Sequence, residues 1–120
     1  MNYIEFLDRV LVWLDERGSF RVTKDNVSSF TQEENNMLPQ ALMKLVIDDY
    51  AFITNDSTTV YSISFEGKLA LMNTTQEYKN RPYAYALHKQ KIEERKNMIK
   101  NVAVVANAVI ALILAAAALF

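Results

Sequence analysis

Cysteine is absent from these 120 residues, which excludes disulfides, thiolate metal ligands and thiol nucleophiles. Glycine occurs twice and proline twice, too few for a phosphate-cradling glycine loop or a flexible linker. The single histidine, His88, falls short of the three or four ligands a metal site needs. The carboxylate pairs Asp15-Glu16, Glu33-Glu34, Asp48-Asp49 and Glu93-Glu94 are adjacent in sequence. On a helix such neighbours diverge by about 100° instead of converging on one substrate. Ser62 and Ser64 have no base at a matching spacing. The expectation is a non-enzymatic chain without cofactor or metal.

Charge is unevenly spread. Residues 1–78 hold six basic residues against twelve acidic ones; residues 79–101 hold seven basic residues against Glu93 and Glu94; residues 102–120 hold none. This pattern predicts three segments: a soluble domain over 1–78, a basic helical neck over 79–101 and an apolar helix over 102–120.

The last of these reads VAVVANAVIALILAAAALF, with Asn107 as its only polar side chain. As a helix it is about 28 Å long, close to the roughly 30 Å of a bilayer's hydrocarbon core. The expectation is a transmembrane helix, since only an internal hydrogen-bond ladder satisfies the backbone in lipid. The alternative is a helix buried inside a soluble homo-oligomer. The first ten residues carry charges and do not read as a signal peptide. Basic residues gather on the cytoplasmic side of spans, which predicts a single-pass protein with its N-terminal domain in the cytoplasm, or on one face of a viral membrane. Lys89, Lys91, Arg95, Lys96 and Lys100 are the candidates for lipid headgroups. Ala103, Asn107, Ala111 and Ala115 recur every four residues, a stripe on which two spans could pack.

Within residues 1–78 the clearest helix covers 2–17. Ile4, Leu7, Leu11 and Leu14 form one apolar stripe, and Tyr3, Phe6, Val10 and Trp13 repeat it one position earlier. Gly18 suits a C-terminal cap. Two stripes are wider than one core face needs. Either both are buried, or Phe6 and Trp13 belong to a partner or dimer surface. Thr23–Ser29 reads as a short helix capped by Thr23. Thr31 and Glu34 match a capping box. Pro39 places the start of the next helix after Asn36, giving a helix over 39–50 whose upstream partner is 24–30 or 31–37. Ala51–Thr54 and Thr59–Ser64 flank Asn55-Asp56-Ser57 and read as a β-hairpin. Helical character returns from Glu66, and no glycine or proline interrupts 83–120.

Leu42, Leu45, Asp49-Tyr50 and Ile53, followed by Tyr61, Ile63, Ser64 and Gly67, resemble the third helix and wing strand of winged helix-turn-helix domains, with Asp49 where those domains usually carry glycine. The layout is similar to small winged-helix proteins with a C-terminal membrane anchor from bacteria and phages. The resemblance implies an α+β, winged-helix-like domain of three helices plus a hairpin wing, followed by a long C-terminal helix containing the span. It also implies DNA binding through the third helix and the wing. There the chain offers Gln40 and Lys44 beside Asp48 and Asp49, and a wing turn without basic residues. Phosphate neutralisation needs Lys and Arg, so an acidic domain disfavours DNA. The expected function is therefore a membrane-anchored interaction protein, for instance in a membrane-containing phage virion. It binds a protein partner or itself through Phe6, Trp13, Gln40 and Lys44. The alternative is a membrane-anchored DNA-binding regulator.

Overall fold

The computed structural model describes residues 1–55 and 57–119, with side chains up to residue 110 and at 112. Among them the fold is α+β. The elements are α1 (Tyr3–Arg17), β1 (Ser19–Arg21), α2 (Gln32–Ile47), β2 (Ala51–Asn55), β3 (Thr59–Ile63), α3 (Phe65–Met72) and α4 (Pro82–Leu119). The strands form one antiparallel sheet in the order β1-β3-β2. The chain divides into two compact units, 1–86 and 87–120.

Helix α1 is fixed at both ends. The Asn2 side chain accepts the Glu5 N–H at 3.1 Å, and the Gly18 N–H donates to the Leu14 carbonyl at 2.7 Å with Gly18 at φ 79°. Residues from both apolar stripes are buried: Phe6, Val10 and Trp13 from one, Leu11 and Leu14 from the other. The width is needed because α1 packs against α2, the sheet and α3 together. Each large apolar side chain buried in this way contributes about 1.5–3 kcal/mol.

Helix α2 starts earlier than the proline suggested, and the expected helix over 39–50 is corrected accordingly. The capping box sets the start: the Glu34 N–H donates to Thr31 Oγ1 at 3.2 Å, and the Thr31 N–H donates to Glu34 Oε1 at 2.9 Å. The helix then runs through Pro39. An interior proline costs about 3 kcal/mol. Burial of Leu38, Ala41, Leu42 and Leu45, on both sides of the ring, offsets that cost. Residues 24–30 form no helix; Asn35 shapes the turn instead. Its Oδ1 accepts the Val27 N–H at 2.8 Å, and its Nδ2 donates to the carbonyls of Val27 at 3.0 Å and Phe30 at 3.1 Å. Two helices, not three, therefore precede the hairpin.

At its other end α2 closes in a Schellman motif. The Tyr50 N–H reaches the Leu45 carbonyl at 2.8 Å and the Asp49 N–H reaches Val46 at 3.1 Å, with Asp49 left-handed at φ 63°. The hairpin follows in the register Ala51↔Ile63 and Ile53↔Tyr61. Strand β1, not foreseen in the sequence, pairs Phe20 with Tyr61 on the other side of β3. Ser64 then caps α3, accepting the Gly67 N–H at 3.0 Å while its hydroxyl donates to the Asp49 carbonyl at 2.5 Å.

In the second unit α4 continues alone, and every described side chain from 87 to 110 is exposed. Among the described residues no helix is long and apolar enough to cross a membrane. Much of the uncharged run, 111 and 113–120, has side chains outside the described set.

Candidate functional site

Of the residues expected to meet a partner, Phe6, Gln40 and Lys44 line one groove and Trp13 lies apart from it. Phe6 is 3% exposed and Trp13 9%. Phe6 stands edge-on to Phe30 at 5.6 Å, and Trp13 lies between Phe20 at 4.9 Å and Phe30 at 5.3 Å. Both serve the core, which corrects their assignment to an open partner surface. The reason lies in the segment between α1 and α2: it returns Phe20 and Phe30 over the aromatic stripe, and the sequence offers no periodicity from which that return can be read.

Gln40 and Lys44 are exposed. They border a groove of about 260 Å³ between α1 and α2, walled by Tyr3, Leu7, Met37 and Ala41, with Phe6 in its lining. The Lys44 ammonium is held by Asp48 Oδ1 at 3.2 Å. Reasoning from sequence missed the apolar neighbours of these two. Met43 is 42% exposed and Ile47 69% exposed. Gln40, Met43, Lys44 and Ile47 are spaced i, i+3, i+4, i+7 and so form one outward stripe of α2. That spacing is the signal that could have found them.

The strongest electrostatics lie elsewhere and are structural. Asp8 is 2% exposed, and its carboxylate accepts the N–H groups of Tyr83 at 2.8 Å and Ala84 at 3.1 Å. It thereby caps the first turn of α4, which opens with Pro82 in the favoured position. Burial pushes the Asp8 carboxyl above its usual range, against the pull of these two donors and of Arg81. The Tyr83 hydroxyl donates to Asp48 Oδ2 at 2.7 Å and its ring meets Tyr50 edge-on at 5.6 Å. Burial, then the Asp48 carboxylate, raise its phenol well above the ordinary value. That shift is opposite to what a base or nucleophile needs. Glu34 is pulled below the ordinary carboxylate range, first by the Thr31 N–H and also by Arg9, which bonds to it from α1. Among the described residues no three His, Cys, Asp or Glu side chains stand together to hold a metal ion.

In the second unit Lys89, Lys91, Arg95, Lys96 and Lys100 are exposed on α4, as are Ala103 and Asn107. The side chains of Ala111 and Ala115, the rest of the expected packing stripe, lie outside the described residues. No protein-family model, no curated protein and no solved structure matches the chain.

Proposed function

We propose that the chain is a non-enzymatic interaction protein, anchored in a membrane through 102–120, whose winged-helix-type head binds a protein partner or a second copy of itself. The observation that carries this reading is the outward stripe of α2. In an acidic domain its exposed members are two apolar side chains, Met43 and Ile47, one amide, Gln40, and one cation, Lys44, already engaged by Asp48. Phosphate recognition depends on available cations, whereas exposed apolar side chains next to a few polar ones suit a protein contact. The helix-then-hairpin order of α2, β2 and β3 supports the winged-helix reading; the non-helical segment 24–30 is its departure from the expected pattern. The anchoring part rests on the uncharged run and on the basic residues before it.

The experiment places a photo-crosslinking residue at Ile47, and at exposed Glu33 as a control, in the full-length chain in its native membrane. An adduct of one defined mass at Ile47, absent at Glu33 and lost on Met43→Asp, is the expected result. Equal labelling at both positions, or none, overturns the contact. Full-length protein that leaves the membrane fraction in carbonate overturns the anchoring.

A further inference from the structure

The basic part of α4 is two-sided. At about 100° per residue, Lys89, Lys96 and Lys100 fall within about 40° of one another on the helix surface. Continuing round from them, Ile92, Ile99, Arg95, Lys91 and Met98 complete an arc of about 200° that holds all five cations of 89–100. The remaining arc carries Gln90, Glu93, Glu94, Asn97 and Asn101, with Gln90 Nε2 hydrogen-bonded to Glu94 Oε1 at 3.3 Å. The two acidic residues border the arc without entering it: Glu93 stands four residues after Lys89 and about 20° from Lys100 on the wheel, and Glu94 three residues after Lys91. Among the apolar members of the cationic arc, Ile92 is 38% exposed, Met98 62% and Ile99 68%. Among the described residues of this unit α4 is the only element.

We infer that this arc of α4 is a binding face for anionic lipid headgroups. The inference rests on the anchoring reading and adds to it the lipid class and the side of the helix. Positive charge selects anionic over zwitterionic headgroups. Met98 and Ile99, within about 6 Å of Val102 along the helix, give the arc apolar contact at the level where headgroups meet acyl chains, while the Lys96 and Lys100 stems extend their charges to the phosphates. Two copies of α4 laid face to face would bring like charges together, so a second neck does not satisfy this arc. Nucleic acid would neutralise the cations and leave the interleaved isoleucine and methionine side chains without an apolar partner. Continuity with the uncharged run that begins at Val102 also favours lipid.

The test uses the full-length chain reconstituted in phosphatidylcholine vesicles with spin-labelled phosphatidylserine or spin-labelled phosphatidylcholine. The expected result is about a fivefold preference for the anionic lipid, as one favourable Lys–headgroup contact would give. That preference falls toward none in high salt and in the double variant Lys96→Gln, Lys100→Gln. The double variant Asn97→Gln, Asn101→Gln on the other arc leaves it unchanged. Equal association of both lipids with the wild-type chain overturns this inference and leaves the anchoring intact. A chain that does not enter vesicles of either composition overturns the anchoring itself. Retardation of a polynucleotide by the wild type and not by the lysine variant, without lipid preference, reassigns the arc to nucleic acid and also overturns the inference.

Discussion

The carboxylate of Asp8 accepts the Tyr83 N–H at 2.8 Å, joining α1 to the first turn of α4 across 75 residues of chain. The first N–H groups of a helix have no partner within it. Most helices solve this with a neighbouring Ser, Thr, Asp or Asn; here the acceptor comes from another helix and is buried. Replacing Asp8 with Ala leaves the Tyr83 and Ala84 N–H groups without that acceptor, at a cost of about 1–3 kcal/mol. Urea unfolding of the full chain reads the loss, and hydrogen exchange should place it first at Tyr83 and Ala84.

The raised pKa of Asp8 gives this bond a pH dependence of definite sign. A carboxyl whose folded pKa lies above its ordinary 3.8 contributes stability that is complete below that value and is lost as pH rises through the folded pKa. Asp8→Asn retains one acceptor and cannot ionise. The stability gap between wild type and Asp8→Asn should therefore narrow as pH rises above 3.8. A gap that widens over the same interval would show that the two N–H bonds outweigh desolvation.

The two glycines should respond differently to alanine. A Cβ at Gly67 would lie 2.2 Å from the Tyr50 carbonyl oxygen, a backbone atom that cannot swing away. A Cβ at Gly18 would meet nothing within 4 Å, but φ there is +79°. Gly67→Ala must move α3 off the α2–β2 junction, costing about 1–3 kcal/mol as overpacking does. Gly18→Ala pays conformational strain only, about 1 kcal/mol. Thermal unfolding ranks them, with Gly67→Ala expected to be the more damaging.

Asp49 occupies a left-handed position, φ 63°, a conformation that favours glycine. The turn is held by main-chain atoms: the Tyr50 and Asp49 N–H groups make the Schellman bonds, and the Ser64 hydroxyl donates to the Asp49 carbonyl. Asp49→Gly preserves each of them and relieves the strain, so it should stabilise the head by about 1 kcal/mol. Unchanged or reduced stability would mean that the aspartate side chain contributes something its backbone does not.

What could be read in advance follows the range of the interactions. Helix α1, the hairpin and the Thr31–Glu34 capping box were legible because each is written in residues a few positions apart. Strand β1 was not: three residues, Ser19–Arg21, are too short for an alternation, and they are a strand only because β3 offers an edge. The fate of Phe6 and Trp13 depended on Phe20 and Phe30 folding back over them. The outward stripe of α2 was half legible, in Gln40 and Lys44. Its apolar half, Met43 and Ile47, shares their helical spacing, but only the fold shows that these two side chains face outward.

That proline makes α2 a further test of tertiary packing against local preference. Pro39 → Ala restores a backbone donor within the helix and removes the ring's clash with the preceding turn. Some of the gain is lost because the unfolded chain also becomes freer. The expected net effect is stabilisation by about 1–3 kcal/mol, read as a higher urea midpoint with an unchanged slope. A destabilised variant would mean that the ring's own contacts beside Leu38 and Leu42, in the hollow lined also by Phe20 and Tyr61, matter more than the missing hydrogen bond.

Glu34 predicts the opposite slope to Asp8. Its carboxylate accepts the Thr31 N–H at 2.9 Å and a bond from Arg9 Nη1, and it is held below its ordinary 4.5. A carboxyl depressed in the fold contributes stability that is present above the ordinary pKa and lost as pH falls through the folded value. Acid should therefore loosen the start of α2 and its tie to α1 together, because one side chain serves both the capping box and the Arg9 pair. Glu34→Gln keeps an acceptor for the Thr31 N–H but not the charge, so its stability should be flatter than wild type below pH 4.5, with the two curves converging in acid. Parallel curves for the two proteins down to the acid transition would place the acid sensitivity in another carboxyl and reduce the Arg9–Glu34 pair to a surface contact of little weight.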